Sequence, residues 1–135
     1  MQIKVLLADD HAIIRQGLRL LFKSADDMTV VGEAENGKQA CDMARDLCPD
    51  AIVMDIGMPV MDGLTATRNI SAEQPGIAIV ALSMHNDPAF KQGMLAAGAR
   101  GYILKEEAFE HLLSTVRELC NGSHVKASAA ATPAK

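Results

Sequence analysis

The stretch that most constrains this chain is Ala51-Ile52-Val53-Met54-Asp55, followed by Ile56-Gly57-Met58-Pro59-Val60-Met61-Asp62-Gly63. Four apolar residues run directly into one carboxylate. Gly57, Pro59 and Asp62-Gly63 then break the chain into a loop. A short uninterrupted apolar run is the pattern of a strand buried on both faces, which calls for a parallel sheet covered by helices. Open α/β sheets bind their ligands in the crevice beyond the carboxyl ends of the strands. Asp55 therefore stands where such a sheet would do chemistry.

The rest of the chain supplies the partners of that strand. Ile3 to Ala8 reads as a first strand, ended by Asp9-Asp10. His11 to Ser24 has helical spacing, with Ile13, Ile14, Gly17, Leu18, Leu21 and Phe22 on one face and Asp10 placed to cap it. Met28 to Ala34 is a weaker strand, interrupted by Gly32 and Glu33, and is expected at a sheet edge. Asn36-Gly37 makes a turn, and Lys38 to Leu47 is a helix stopped by Pro49. After the Asp55 loop come a helix over Leu64 to Glu73, a strand over Ile77 to Leu82 that delivers Ser83 to a loop, and a weak helix over Pro88 to Ala97. Tyr102 to Leu104 is a short strand ending at Lys105. Glu107 to Cys120 is a final helix, with Phe109, Leu112, Leu113, Val116 and Cys120 on one side and Asn121-Gly122 closing it.

Strand and helix thus alternate five times, which predicts an α/β fold: a doubly wound, five-stranded parallel sheet with five helices, in the flavodoxin-like order 2-1-3-4-5. At 135 residues there is room for one such domain, expected over residues 1–122. Residues 123–135 are rich in Ala and Ser without periodicity and read as a flexible linker or tail. The formal net charge of -4 does not ask for nucleic acid or an anionic membrane. Cys41, Cys48 and Cys120 form no CxxC and read as reduced, half-buried helix residues. No signal peptide or transmembrane span is evident, so the expectation is a soluble cytoplasmic protein.

In that strand order the first and third strands are neighbours, so Asp9-Asp10 is expected beside Asp55. Carboxylates gathered at one sheet edge repel each other unless a cation sits among them, and oxygen ligands of this kind suit Mg²⁺. A carboxylate beside Mg²⁺ can attack phosphorus to give an aspartyl phosphate. The charge on the phosphoryl oxygens then needs cationic and hydrogen-bonding partners. Ser83 and Lys105, at two further strand ends, supply a hydroxyl and an ammonium. Each residue alone has a plainer reading: Asp9-Asp10 as a helix cap, Ser83 and Lys105 as surface residues, Tyr102 as packing. Their joint order favours a phosphoryl-transfer site.

The segments LLADDH (Leu6 to His11), IVMDIGMPVMDG (Ile52 to Gly63), ALS with MH (Ala81 to His85) and GARGYILK (Gly98 to Lys105) resemble a receiver domain of two-component response regulators. The likeness is to the NarL/FixJ (LuxR-type) group. It implies that Asp55 accepts a phosphoryl group from a sensor histidine kinase or a small donor such as acetyl phosphate. It implies Mg²⁺ held by Asp9, Asp10, Asp55 and the Gly57 carbonyl, with Ser83 and Lys105 on the phosphoryl oxygens and Tyr102 as a switch aromatic coupled to Ser83. Two positions depart from the family pattern. Glu106 follows Lys105 where many receivers have a cis proline, and Met84 follows Ser83 where many have alanine.

The resemblance further implies a homodimer on phosphorylation. It also implies regulation of transcription through a C-terminal helix-turn-helix DNA-binding domain that this chain lacks, the tail then being an interdomain linker. A stand-alone receiver acting through protein partners and an unphosphorylated pseudo-receiver remain as alternatives. A phosphoaspartyl hydrolase would need a second Asp two residues beyond the nucleophile, where this chain has Gly57. The expectation is a signalling domain rather than an enzyme.

Overall fold

The computed structural model of the protein describes residues 2–84 and 86–129, with side chains described as far as residue 121. Its elements alternate as β1 (Ile3–Ala8), α1 (Ala12–Lys23), β2 (Met28–Ala34), α2 (Gly37–Leu47), β3 (Ala51–Asp55), α3 (Gly63–Glu73), β4 (Ala78–Ser83), α4 (Pro88–Ala97), β5 (Gly101–Leu104) and α5 (Ala108–Ala129). A single 3-10 turn, Lys105–Glu107, joins the last two. The sheet has the order β2-β1-β3-β4-β5, and every pairing is parallel. β2, with its Gly32 and Glu33, lies at the edge as expected.

Successive residues of each strand point to opposite faces, which divides the core in two. On one side Val5, Leu7, Val53, Val80 and Leu82 meet Leu18 and Phe22 of α1 and Leu112 and Val116 of α5. On the other Leu6, Ile52, Met54 and Ile79 meet Ala40 and Ala44 of α2, Ala66 and Ile70 of α3 and Met94 of α4. Burying a side chain such as Phe22 or Leu112 contributes about 1.5–3 kcal/mol, so both faces hold the sheet firmly.

The register then fixes the functional rim. Ala8 pairs with Met54, which brings Asp9 alongside Asp55. Asp55 pairs with Leu82, and Ser83 with Leu104, so Ser83 and Lys105 each emerge at the same edge. Four strand ends thus deliver their next polar residues to one crevice.

Several local expectations are corrected. Asp10 does not cap α1. The chain stays extended through His11 (φ -99, ψ 109), so His11 is the cap residue and makes no side-chain capping bond. The caps that do close are Asn36 accepting from Gln39 N, Asp62 from Thr65 N and Asp87 from Ala89 N. The apolar stripe of α1 is wider than the surface it covers: Ile13 is 81% exposed and Ile14 is exposed as well, while only Leu18 and Phe22 are buried. Phe109 of α5 is also exposed, its ring lying over Gly17 of α1. Cys48 is exposed and follows α2 in a left-handed conformation (φ 46).

The final helix does not stop at Asn121-Gly122 but continues to Ala129. Gly122 is not needed in a left-handed turn there, and the Ala- and Lys-containing residues beyond it favour helix. Part of the stretch expected as linker is therefore helical, and residues 130–135 lie outside the described residues.

Candidate functional site

The crevice is built by the loops that follow β1, β3, β4 and β5. The loop after β3 is clamped from both sides by glycines. Gly63 N donates to Ile56 O at 2.8 Å, and a Cβ at Gly63 would lie 2.0 Å from the Asp55 carbonyl oxygen. Gly37 N donates to Met61 O at 2.8 Å, and a Cβ there would lie 2.3 Å from that same Met61 oxygen. These close approaches hold the start of α2 and the start of α3 against the loop that carries Asp55. Val60, at the exposed tip, adopts φ 67, a conformation unfavourable to a β-branched residue.

Asp9 and Asp55 are almost wholly buried, at 1% and 4% exposure, and Ser83 is buried beside them. Lys105 Nζ lies 3.1 Å from Asp55 Oδ1 and 3.3 Å from Asp9 Oδ2. Asp10 is more exposed and reaches the cluster from the outside. His11 Nδ1 stands 3.1 Å from Asp9 Oδ1 and 3.2 Å from Asp10 Oδ1, and its backbone N–H donates to Asp9 Oδ1 at 2.9 Å. Arg15, from the first turn of α1, donates to the Asp9 carbonyl at 2.6 Å and to Glu33 Oε1 at 3.2 Å. The backbone of Asp9 is thereby tied to β2.

Electrostatics distinguish Asp55 from an ordinary carboxylate. Burial, and then the Asp9 carboxylate, push Asp55 up to about 6, with Lys105 pulling the other way. At Lys105 burial disfavours the charge, but Asp55 and Asp9 outweigh it and raise its pKa. One ammonium facing two buried carboxylates leaves a net negative crevice. Asp55 Oδ2 is buried without a hydrogen-bond partner. Asp9 Oδ2 likewise accepts no hydrogen bond, its contact with Lys105 being an ion pair only.

A buried carboxylate oxygen with nothing to bond, as at Asp55 Oδ2, is costly, and hard oxygen donors around a net negative hollow are what a divalent cation fits. Ligand atoms of Asp9, Asp10, His11 and Asp55 all lie within 4.8 Å of one another. The residues present therefore suit Mg²⁺.

Above them opens a cleft of roughly 170 Å³ lined by His11, Asp55, Ile56, Gly57, Ser83, Met84, Phe90 and Lys105. Met84 is 75% exposed and forms part of its wall, and the Lys105-Glu106 peptide is trans like every peptide among the described residues.

The sequence-predicted residues Asp9, Asp10, Asp55, Gly57, Ser83 and Lys105 thus converge. Tyr102 does not line this cleft. It sits half-buried on β5 and lines a separate groove with Asp87, Pro88, Lys91 and Glu107 beside α4. Sequence reasoning missed Phe90 and the contacts of His11 and Arg15. His11 and Arg15 were detectable only as neighbours of the acidic pair, and no sequence signal marked Phe90.

Residues 5–117 match the family described as the response regulator receiver domain. The Bacillus subtilis (strain 168) transcriptional regulatory protein YdfI is 41% identical over 120 residues, a match covering 89% of this chain and 56% of that protein. This chain therefore spans little more than half the length of that curated relative. Among solved structures, a LuxR-family two-component response regulator from Aurantimonas sp. SI85-9A1 superimposes with a TM-score of 0.86 at 32% identity, over 90% of this chain and 87% of the other. The signal receiver domain of the putative response regulator NarL from Mycobacterium tuberculosis does so with a TM-score of 0.85 at 27% identity, over 90% and 98%.

Proposed function

This chain belongs to the response regulator receiver domain family, and from that premise we propose that it is a phosphorylation-activated switch whose phosphoryl acceptor is Asp55. The observation that carries the proposal is the convergence of Asp9, Asp55 and Lys105 within 3.3 Å contacts beneath an open cleft. The donor is the phosphohistidine of a sensor histidine kinase. A carboxylate oxygen of Asp55 forms the new bond to phosphorus as the bond from phosphorus to the donor nitrogen breaks, and that nitrogen takes up a proton.

Because Asp55 ionises near 6, it is a carboxylate at neutral pH and ready to attack. Lys105, held charged by its two acidic neighbours, stays to neutralise the phosphoryl oxygens, and the Ser83 hydroxyl donates to another. Asp9, Asp10, Asp55 and the Gly57 carbonyl would hold Mg²⁺, which when bound offsets the charge of the transferring phosphoryl group. Met84 and Phe90 flank the cleft and set what can enter it.

The switch is carried by Ser83 and Tyr102. Ser83 moves towards the phosphate, and the Tyr102 ring rotates inward from its groove beside α4. That helix buries only Met94 and Ala97, so it has few contacts to lose when it repacks. Exposed Ile13, Leu20 and Phe109 on α1 and α5 give two activated copies an apolar face for pairing. The output is transcriptional, through a helix-turn-helix DNA-binding domain. Residues 1–122 are the switch unit and 123–135 lead towards that domain. Among the described residues no helix is long and apolar enough to cross a membrane.

The test is intact mass after incubation with acetyl phosphate and Mg²⁺. One phosphoryl adduct is expected on the wild type, none without metal and none on Asp55→Asn, with a shift to dimer by sizing. If the wild type takes neither acetyl phosphate nor beryllofluoride, the switch is wrong and the chain is a pseudo-receiver that acts as a docking surface.

A further inference from the structure

His11 is the one residue of the acidic cluster that the phosphoryl-acceptor reading leaves without a task. Its side chain is 58% exposed and caps nothing, although His11 holds the cap position of α1. It nevertheless faces inward: Nδ1 is 3.1 Å from Asp9 Oδ1 and 3.2 Å from Asp10 Oδ1. Two neighbouring ligands on an octahedral ion with bonds of about 2.1 Å are about 3.0 Å apart. Both separations made by Nδ1 are close to that edge length. Beside them lie two further buried oxygens, Asp9 Oδ2, which is ion-paired with Lys105, and Asp55 Oδ2, which has no hydrogen-bond partner.

We propose that His11 Nδ1 is a ligand of the ion held by Asp9, Asp10 and Asp55, and that it tunes the site towards divalent transition ions such as Mn²⁺ over Mg²⁺. The inference rests on the reading of this cluster as the metal site of a phosphoryl acceptor. Mg²⁺ takes oxygen ligands and gains little from an imidazole, whereas first-row transition ions accept nitrogen readily. In the tautomer protonated on Nε2, Nδ1 has a lone pair to give. Asp9 Oδ1 is in hydrogen-bond contact with Nδ1 and also accepts from the His11 backbone N–H, so it keeps a donor when Nδ1 turns its lone pair to the ion. If the imidazole were only a counter-ion to the two carboxylates, it would compete equally with every cation, and the preference among ions would not depend on it.

The experiment is pulsed electron paramagnetic resonance of the full chain loaded with Mn²⁺, read for ¹⁴N modulation, on the wild type, His11→Ala, His11→Asn and Asp10→Asn. Mn²⁺ and Mg²⁺ affinities are measured alongside by calorimetry. His11→Asn keeps a residue well suited to cap α1, so a loss shared by both His11 variants does not come from fraying of the helix. The expected result is ¹⁴N coupling in the wild type and none in either His11 variant, with Mn²⁺ still bound. The ratio of Mn²⁺ to Mg²⁺ affinity should fall about tenfold. Bound Mn²⁺ with no ¹⁴N coupling, or coupling that survives His11→Ala, overturns the assignment and leaves the phosphoryl-acceptor reading in place. If Mn²⁺ does not bind, or binds equally to Asp10→Asn, the metal site itself is wrong and the inference falls with it.

Discussion

Lys105 and Asp55 form a half-satisfied pair: the ammonium holds Asp55 Oδ1 at 3.1 Å, while Oδ2 of the same carboxylate is buried with no hydrogen-bond partner. Asp55 is thus kept charged at neutral pH with the help of its neighbour, in surroundings that oppose the charge. The folded chain bears that opposition as a loss of stability.

The pH dependence follows from the direction of the shift. Asp55 ionises near 3.8 when unfolded and near 6 when folded. Between those values the folded chain binds more protons. Stability from this group is fully present below the unfolded value and is lost as pH rises through 6. A shift of this size corresponds to at most about 3 kcal/mol. Asp55→Asn should therefore be more stable than the wild type by roughly 1–3 kcal/mol at pH 7.5 in chelator, with the gain vanishing towards pH 4. Urea melts across that range decide it, and an equal gain at both ends would remove the electrostatic explanation.

A bound cation should reverse the penalty. With Mg²⁺ at a hundredfold excess over its dissociation constant, stability should rise by about 2.7 kcal/mol, a Tm shift on the order of 10 °C for a domain of this size. Chelator should undo it. Asp10→Asn should lose most of the shift without disturbing the metal-free Tm, because Asp10 lies at the exposed side of the cluster.

The two glycines near Asp55 should differ sharply in what they tolerate. A Cβ at Gly63 would meet the Asp55 carbonyl oxygen at 2.0 Å, so Gly63→Ala must push α3 off the loop that carries Asp55. We expect a loss of about 2 kcal/mol or more. At Gly57 a Cβ would meet nothing within 4 Å, so Gly57→Ala should stay within about 0.5 kcal/mol. Denaturant midpoints of both variants test the pair.

Val60 carries the one β-branched side chain with a positive φ among the described residues, at 67°, and is 79% exposed. Asn tolerates this region, so Val60→Asn should stabilise the fold by about 1 kcal/mol. A neutral or negative shift in the urea midpoint would show that Val60 makes a contact worth more than its strain.

Much of this molecule was legible residue by residue. The almost wholly apolar run Ile3 to Ala8 and the apolar run Ala51 to Met54 read as buried parallel strands, and β2 betrayed its edge position through Gly32 and Glu33. Helices α2, α3 and α4 differ from expectation by no more than one residue. The polar residues at the strand ends followed from the strand order, because a parallel register carries Asp9, Asp55, Ser83 and Lys105 to one rim.

Some local structure was not legible, the cap of α1 by His11 rather than Asp10 among it. Periodicity reported an apolar face on α1 and α5 but not how much of it a neighbour would cover, and Ile13 and Phe109 were left outside. Local turn chemistry at Asn121-Gly122 suggested a stop that the helix did not take.

What the sequence by itself determined is the alternation of elements, the parallel sheet and the identity of the acidic, hydroxyl and ammonium groups, because these depend on short-range pattern and on strand order. What only the tertiary structure decided is how those groups act on one another. The pKa of Asp55, its orphaned Oδ2, the inward turn of His11 and the tie from Arg15 to the Asp9 carbonyl all depend on burial and on distances of about 3 Å between groups that the fold brings together. Electrostatic and hydrogen-bond energies change steeply over such distances, and no local pattern encodes them.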